Sequence, residues 1–161
     1  MSRKTQLELV TPHMGRDLRL DYTFGGGFFE DADLASATRA GAPVTTRDLS
    51  VADGVDAITQ AIANRLKTRK GELASLGHPD YGSQHHSLIG EPNVERTRDL
   101  IKLYVLQALR HEPRIEKVLK ADVAAEHVPP RDSVRITLSV RLIREPTPLN
   151  LVIPFSLETS L

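Results

Sequence analysis

The chain has 161 residues, 40% of them hydrophobic, with 21 basic and 21 acidic side chains and a formal charge of zero, the size of one domain that can bury its own core. It has no cysteine, which excludes a disulfide scaffold, an iron–sulfur cluster, a thiolate zinc site and a cysteine nucleophile together. The charge balance holds along the chain, no apolar run is long enough to span a bilayer, and the start MSRKTQLELV lacks the apolar core of a signal peptide, so a soluble protein, cytoplasmic when made and engaging neither nucleic acid nor membrane, is predicted.

Residues 1–47 are punctuated by Pro12, Gly15, Gly25-Gly26-Gly27, Gly41 and Pro43. They show no sustained period and are predicted to form an irregular arm, with one short strand where Leu18 and Leu20 alternate with Arg19 and Asp21. Aromatic residues are scarce, three tyrosines and four phenylalanines without tryptophan, and Tyr22, Phe24, Phe28 and Phe29 gather in this arm. The clustering suggests that the arm docks onto a surface, while the rest of the chain must build an aliphatic core.

Residues 48–161 form the predicted domain. A first helix should start near Asp48 or Ser50, with Val51, Val55, Ile58, Ile62 and Leu66 on one stripe. The cations Arg65, Lys67, Arg69 and Lys70 complement its C-terminal dipole. Gly- and Pro-rich residues 71–92 predict a long ordered loop. A second helix spans about Asn93 to Arg110, with Val94, Thr97, Leu100, Ile101, Tyr104, Val105, Ala108 and Leu109 on one face, and ends before Pro113.

The period then changes to two. Leu119, Ala121, Val123 and Ala125 form one alternating run, Val134, Ile136, Leu138, Val140 and Leu142 a second, and Leu149, Leu151, Ile153, Phe155 and Leu157 a third. Short connections favour an antiparallel meander. The fold class predicted is α+β, with two amphipathic helices packed on a three-stranded antiparallel sheet and an irregular N-terminal arm. Pro154 cannot donate to a ladder, so the last strand is predicted at an edge, where its backbone can accept a partner's strand.

No catalytic constellation emerges. His78, Asp80, His85 and His86 cluster, but adjacent histidines normally point apart, the spacing is wrong for a zinc pair, and a partly solvent-facing pair is expected. Glu72, Asp80, Glu91 and Glu112 are candidate carboxylates for sugar cleavage, with Tyr81 as the only stacking platform nearby. Ser83 beside His85 and His86 lacks a nucleophile elbow and an orienting acid. Neither a metal nor a cofactor is predicted. Glu112-Pro113-Arg114 is more informative: Arg114 presents a five-donor fork suited to a partner's carboxylate or carbonyls, or to Glu112 itself.

The stretch from Ile58 to Val118 carries Arg65-Leu66-Lys67-Thr68, Gly71-Glu72-Leu73, Gly77-His78-Pro79-Asp80-Tyr81-Gly82-Ser83, Leu88-Ile89-Gly90-Glu91-Pro92-Asn93 and Glu112-Pro113-Arg114-Ile115. It resembles the phage baseplate wedge proteins of the protein W type, a family that includes TssE of type VI secretion and counterparts in extracellular contractile injection systems. The resemblance implies a structural sheath initiator in the baseplate that joins the wedge to the tube and hub. It implies that Glu112, Pro113 and Arg114 contact the core bundle of the larger wedge subunits. It further implies that the sheath protein adds strands at Leu149, Leu151, Ile153, Phe155 and Leu157, and that Pro79, Tyr81, Gly82 and Ser83 shape a structural loop. Members labelled lysozyme-like supply the alternative, a peptidoglycan-cleaving enzyme.

Overall fold

The computed structural model describes residues 14–25, 28–39, 41, 46–126 and 132–158. The chain divides into two compact units, Met1–Ala61 and Ile62–Leu161.

The first unit corrects the expectation of an irregular arm, because its described residues form six strands in three antiparallel pairs. β1 (Arg16–Leu18) pairs with β6 (Val51–Asp53), β2 (Leu20–Gly25) with β3 (Phe28–Leu34), and β4 (Ser36–Thr38) with β5 (Arg47–Leu49). Single residues link successive strands: Arg19, Ala35 and Ser50. These three close a cyclic backbone hydrogen-bond set, in which Arg19 N–H donates to the Ser50 carbonyl (2.9 Å), Ser50 N–H to Ala35 (2.8 Å) and Ala35 N–H to Arg19 (2.8 Å). The three strand pairs therefore radiate from a three-way junction. The dipeptide Asp-Leu immediately precedes each junction residue, at 17–18, 33–34 and 48–49, a repeat that marks the pseudo-threefold arrangement.

The junction also displaces the predicted helix start. Residues near Asp48 and Ser50 pair as strands with earlier segments, and α1 begins at Val55, after Gly54 turns the chain at φ +61°. Val51 leaves the predicted helix stripe for β6. Within this unit α1 holds the junction through Gln60, whose buried side chain accepts the Leu20 N–H (2.8 Å) and donates to the Leu18 carbonyl (2.7 Å). An Arg19–Asp56 ion pair of 2.7 Å adds a second tie.

The second unit takes over within α1 (Val55–Lys67), whose Ile62 and Leu66 are buried as predicted. Two short 3₁₀ turns, Ala74–Leu76 and Gln84–Leu88, interrupt the loop before α2 (Glu95–Leu109). Thr97, Ile101, Val105, Ala108 and Leu109 of α2 are buried. Three antiparallel strands follow in the order β7 (Ile115–Ala125), β8 (Ser133–Leu142) and β9 (Leu149–Ser156). The sheet of this unit is thus the expected meander, and the whole chain adds the three two-stranded ladders to it.

β8 is central, and its Val134, Ile136, Leu138, Val140 and Leu142 are almost completely buried. The first four oppose Phe155, Ile153, Leu151 and Leu149 of β9 in register. On the other side the alternation read for β7 needs one correction. The ladder shifts between Val118 and Lys120, so that Val118 opposes Val140 and Leu119 is 40% exposed. A bulge inserts one residue and reverses the face of those before it, and a second shift between Ile115 and Lys117 reverses it again, so that Ile115 opposes Leu142.

Candidate functional site

The loop after α1 is built by backbone pairing. Ser83 N–H donates to the Thr68 carbonyl (2.9 Å) and Lys70 N–H to the Ser83 carbonyl (3.1 Å), so the segments 68–70 and 81–83 lie side by side. Gly82 makes this possible: it sits at φ +96°, and a β-carbon there would lie 2.5 Å from the Arg69 carbonyl oxygen. Only glycine fits. Of the four loop residues singled out from the sequence, Pro79 is exposed, Tyr81 half-buried, and Gly82 and Ser83 buried.

Arg65 of α1 connects this turn to the Glu112-Pro113-Arg114 segment, which lies well apart from it in sequence. Its guanidinium carbon stands 4.5 Å from the centre of the Tyr81 ring, a cation–π geometry, and one terminal nitrogen donates to the His111 carbonyl (3.4 Å). Next in the chain, the Glu112 side chain is only 4% exposed and takes a two-point contact from Arg114, Nε to Oε1 at 2.5 Å and a terminal nitrogen to Oε2 at 3.0 Å. Burial alone pushes the Glu112 carboxyl up, but the hydrogen bonds and charge of Arg114, helped by the charge of Arg65, hold it below the ordinary range. The fork inferred for Arg114 is therefore formed within the chain, with Glu112 setting the plane of the guanidinium. In the sequence Arg65 reads as a dipole-complementing cation and as part of the Arg65-Leu66-Lys67-Thr68 motif, and nothing local signals its long-range partners.

The histidines correct another expectation. His85 and His86 do not point apart: within the Gln84–Leu88 turn their rings stack at 4.3 Å, and His85 meets Phe155 of β9 edge-on at 4.5 Å. His85 is only 2% exposed. Burial, and secondarily the neighbouring His86, lower its pKa to about 3. His86 Nε2 lies 2.8 Å from the Leu66 carbonyl, which can only accept, so that nitrogen carries the proton.

Ser83 Oγ is 2.7 Å from His85 Nδ1, superficially a nucleophile–base pair. Both groups are buried, and a histidine this hard to protonate is a poor base at neutral pH. Glu72 accepts the Arg69 N–H at 2.9 Å, and the lowered Glu112 is opposite to what a glycosidase acid needs. A small surface cleft is lined by Lys70, Asp80, Gly82, Gln84, Tyr104, Gln107, Ala108 and His111. Asp80 is the one carboxylate in that lining. Among the described residues no group of three acidic or histidine side chains is placed to hold a metal.

On β9, Leu151, Ile153, Phe155 and the following Leu157 are buried and Leu149 is half-buried. These side chains belong to the inner face, and the outer face carries Asn150, Val152, Pro154 and Ser156. The sheet order leaves β8 as the single strand partner of β9 among the described residues. Past the strand, the Leu157 N–H donates to Asp132 (2.8 Å) and its carbonyl accepts from Gly90 (2.7 Å).

Comparisons with known proteins join these observations. The model of the family described as baseplate wedge protein gp25 matches residues 52–147, more than half of the chain. The matched stretch runs from β6 to the turn before β9 and contains both the Tyr81 loop and Glu112-Pro113-Arg114. A crystal structure of a protein from Geobacter sulfurreducens, provisionally called a tail lysozyme, is similar at 30% identity with a TM-score of 0.56, covering 65% of this chain and 91% of that one. None of the curated proteins matches. No helix among the described residues is long and apolar enough to cross a membrane. The chain belongs to the baseplate wedge protein gp25 family, a component of the contractile-tail baseplate that associates with other baseplate proteins.

Proposed function

We propose that this protein is a structural sheath initiator that joins the baseplate wedge to the tube and hub and seeds the contractile sheath by strand addition. The observation that carries this reading is the outer edge of β9. Its inward side chains are already spent on the protein's own core, β8 is its one strand partner among the described residues, and Pro154 interrupts but does not cap the row of backbone groups. A sheath strand adding there meets backbone and the exposed Val152, while Leu149, Leu151, Ile153, Phe155 and Leu157 hold the strand in place from behind. In the same reading residues 48–161 are the wedge and sheath-initiating part, and residues 1–47 are an appended arm. Glu112, Pro113 and Arg114 meet the core bundle of the larger wedge subunits. The protein folds in the cytoplasm and ends in the baseplate of the particle.

Val152→Pro tests the edge. Position 152 has the same parity as Pro154, which the β8 ladder already tolerates, so the variant is expected to fold and to enter baseplates while sheaths fail to polymerise. Electron microscopy showing sheaths of normal length on Val152→Pro particles would sink the strand-addition reading.

The name of the Geobacter protein favours a second reading, peptidoglycan cleavage. Sugar hydrolysis needs two carboxyl groups, one with a raised pKa. The cleft lining offers Asp80 alone, and Glu112 is held the other way. Purified full-length protein is expected to release no soluble fragments from peptidoglycan. Release that disappears in Asp80→Asn or Glu112→Gln would overturn the structural reading.

A further inference from the structure

The three-way junction has two faces, and backbone alternation assigns each side chain to one of them. Arg19, Ala35, Ser50 and Ala52 lie on the first, where Ala35 and Ala52 are buried and Arg19 reaches Asp56 of α1. The residues flanking each junction position project from the second face. Leu18, Leu34, Leu49 and Val51 are there, between 42% and 53% exposed. Register brings them together, since Leu18 opposes Val51, Leu34 opposes Leu20, and Leu49 opposes Ser36. An Asp-Leu repeat that recurs three times thus places three leucines around one centre and leaves them in solvent. A repeat built only for internal packing would bury them.

We infer that this face is a docking surface for a short, uncharged aliphatic segment of a neighbouring baseplate subunit. Charge selects that occupant. The four side chains carry no charge, and of the cations at the rim Arg16 is paired with Asp53 (2.8 Å) while Arg47 donates to the Ser36 carbonyl (3.0 Å), so a charged segment laid across the centre would lose hydration with no partner there, whereas an apolar one would not. Area selects it as well. Four side chains about half exposed leave on the order of 300 Å² of apolar surface, a patch that marks an interaction site but falls short of the roughly 800 Å² per partner of a stable self-association. Two or three aliphatic side chains of one inserted segment match it. The inference rests on membership of the baseplate family and is independent of sheath seeding, because the junction and β9 belong to different units.

Site-specific photo-crosslinking tests it. Full-length protein carrying a benzophenone amino acid in place of Leu34 is assembled into tail particles and irradiated. The expected product is an adduct with a different baseplate subunit, reduced at least tenfold when Leu18→Ser and Leu49→Ser are added. Those two substitutions act on side chains already in solvent, and the melting temperature of the purified protein verifies that they leave the fold intact. The crosslink from position 34 alone decides the question even if the double substitution lowers stability. Adducts confined to this chain, whether to its own residues 1–13 or to a second copy, overturn the inference, as does the absence of any adduct in assembled particles. Particles that grow full sheaths yet show no adduct refute this docking site alone. Val152→Pro particles that show the adduct and still grow normal sheaths refute sheath seeding alone.

Discussion

Glu112 is a carboxylate almost removed from water, and Arg114 is what makes that burial tolerable. Breaking a buried ion pair from one side leaves the other charge stranded. Arg114→Ala is therefore expected to lower unfolding free energy by about 3 kcal/mol, measured by urea denaturation. A loss of assembly in that variant speaks to partner contact only once this stability term has been separated from it. His85 makes a second residue-level prediction. Its folded pKa of about 3 lies below the ordinary histidine value of 6.5, so between those limits the unfolded chain binds a proton that the folded chain refuses. Stability must fall as pH drops through that window, by about 1.4 kcal/mol per pH unit well below 6.5. Glu112 adds to the loss only at lower pH, as its depressed pKa is reached. Urea midpoints measured from pH 7 to pH 4 should show the decline, and His85→Asn, which keeps a polar partner for Ser83, should make it shallower, leaving the part due to His86, whose burial also lowers its pKa.

Strand β7 shows how far element patterns can be read. The three sheet runs, the loop and α2 follow from the change in hydrophobic period at about residue 115, because each is specified by its own side chains. Leu119 was misplaced because a bulge costs one residue and leaves no compositional mark. The prediction is sharp: Leu119→Lys should change unfolding free energy by no more than about 0.5 kcal/mol, whereas Val118→Lys, facing Val140, should cost several times as much. The helix start failed for a different reason. Val51 fits a helical stripe, and only its pairing with Leu18, far back in the chain, makes it part of a strand. Local propensity is a weak prior when a non-local ladder competes for the same backbone groups.

Over the whole molecule, the candidate site was legible as separate motifs and not as an arrangement. Tyr81, Gly82, Glu112 and Arg114 were identifiable individually, but Arg65 joins them through contacts that sequence spacing does not encode. The junction leaves little mark in the sequence because its repeat is only a dipeptide, embedded among glycines and prolines that suggest irregularity. Its role can be measured by deletion. Removing residues 1–47 cuts within β5, takes away the partners of β5 and β6, and strips Gln60 of both backbone partners. Hydrogen exchange of amides 57–61 in the shortened protein is expected to be at least tenfold faster than in the full chain, reporting a local opening free energy lower by about 1.4 kcal/mol or more.

The cyclic set formed by Arg19, Ala35 and Ser50 also bears on how this part of the molecule can vary. Three strand pairs meet at single residues, and in the two that are hairpins, β2–β3 and β4–β5, the strand ends farthest from the hub are where insertions disturb no hub contact. A hairpin such as β2–β3 can lengthen by pairs of residues while the centre stays unchanged, whereas one residue added beside Arg19 breaks all three bonds at once. Change in reach is thus permitted at the tips and forbidden at the hub, so related chains should differ in spoke length around a constant centre.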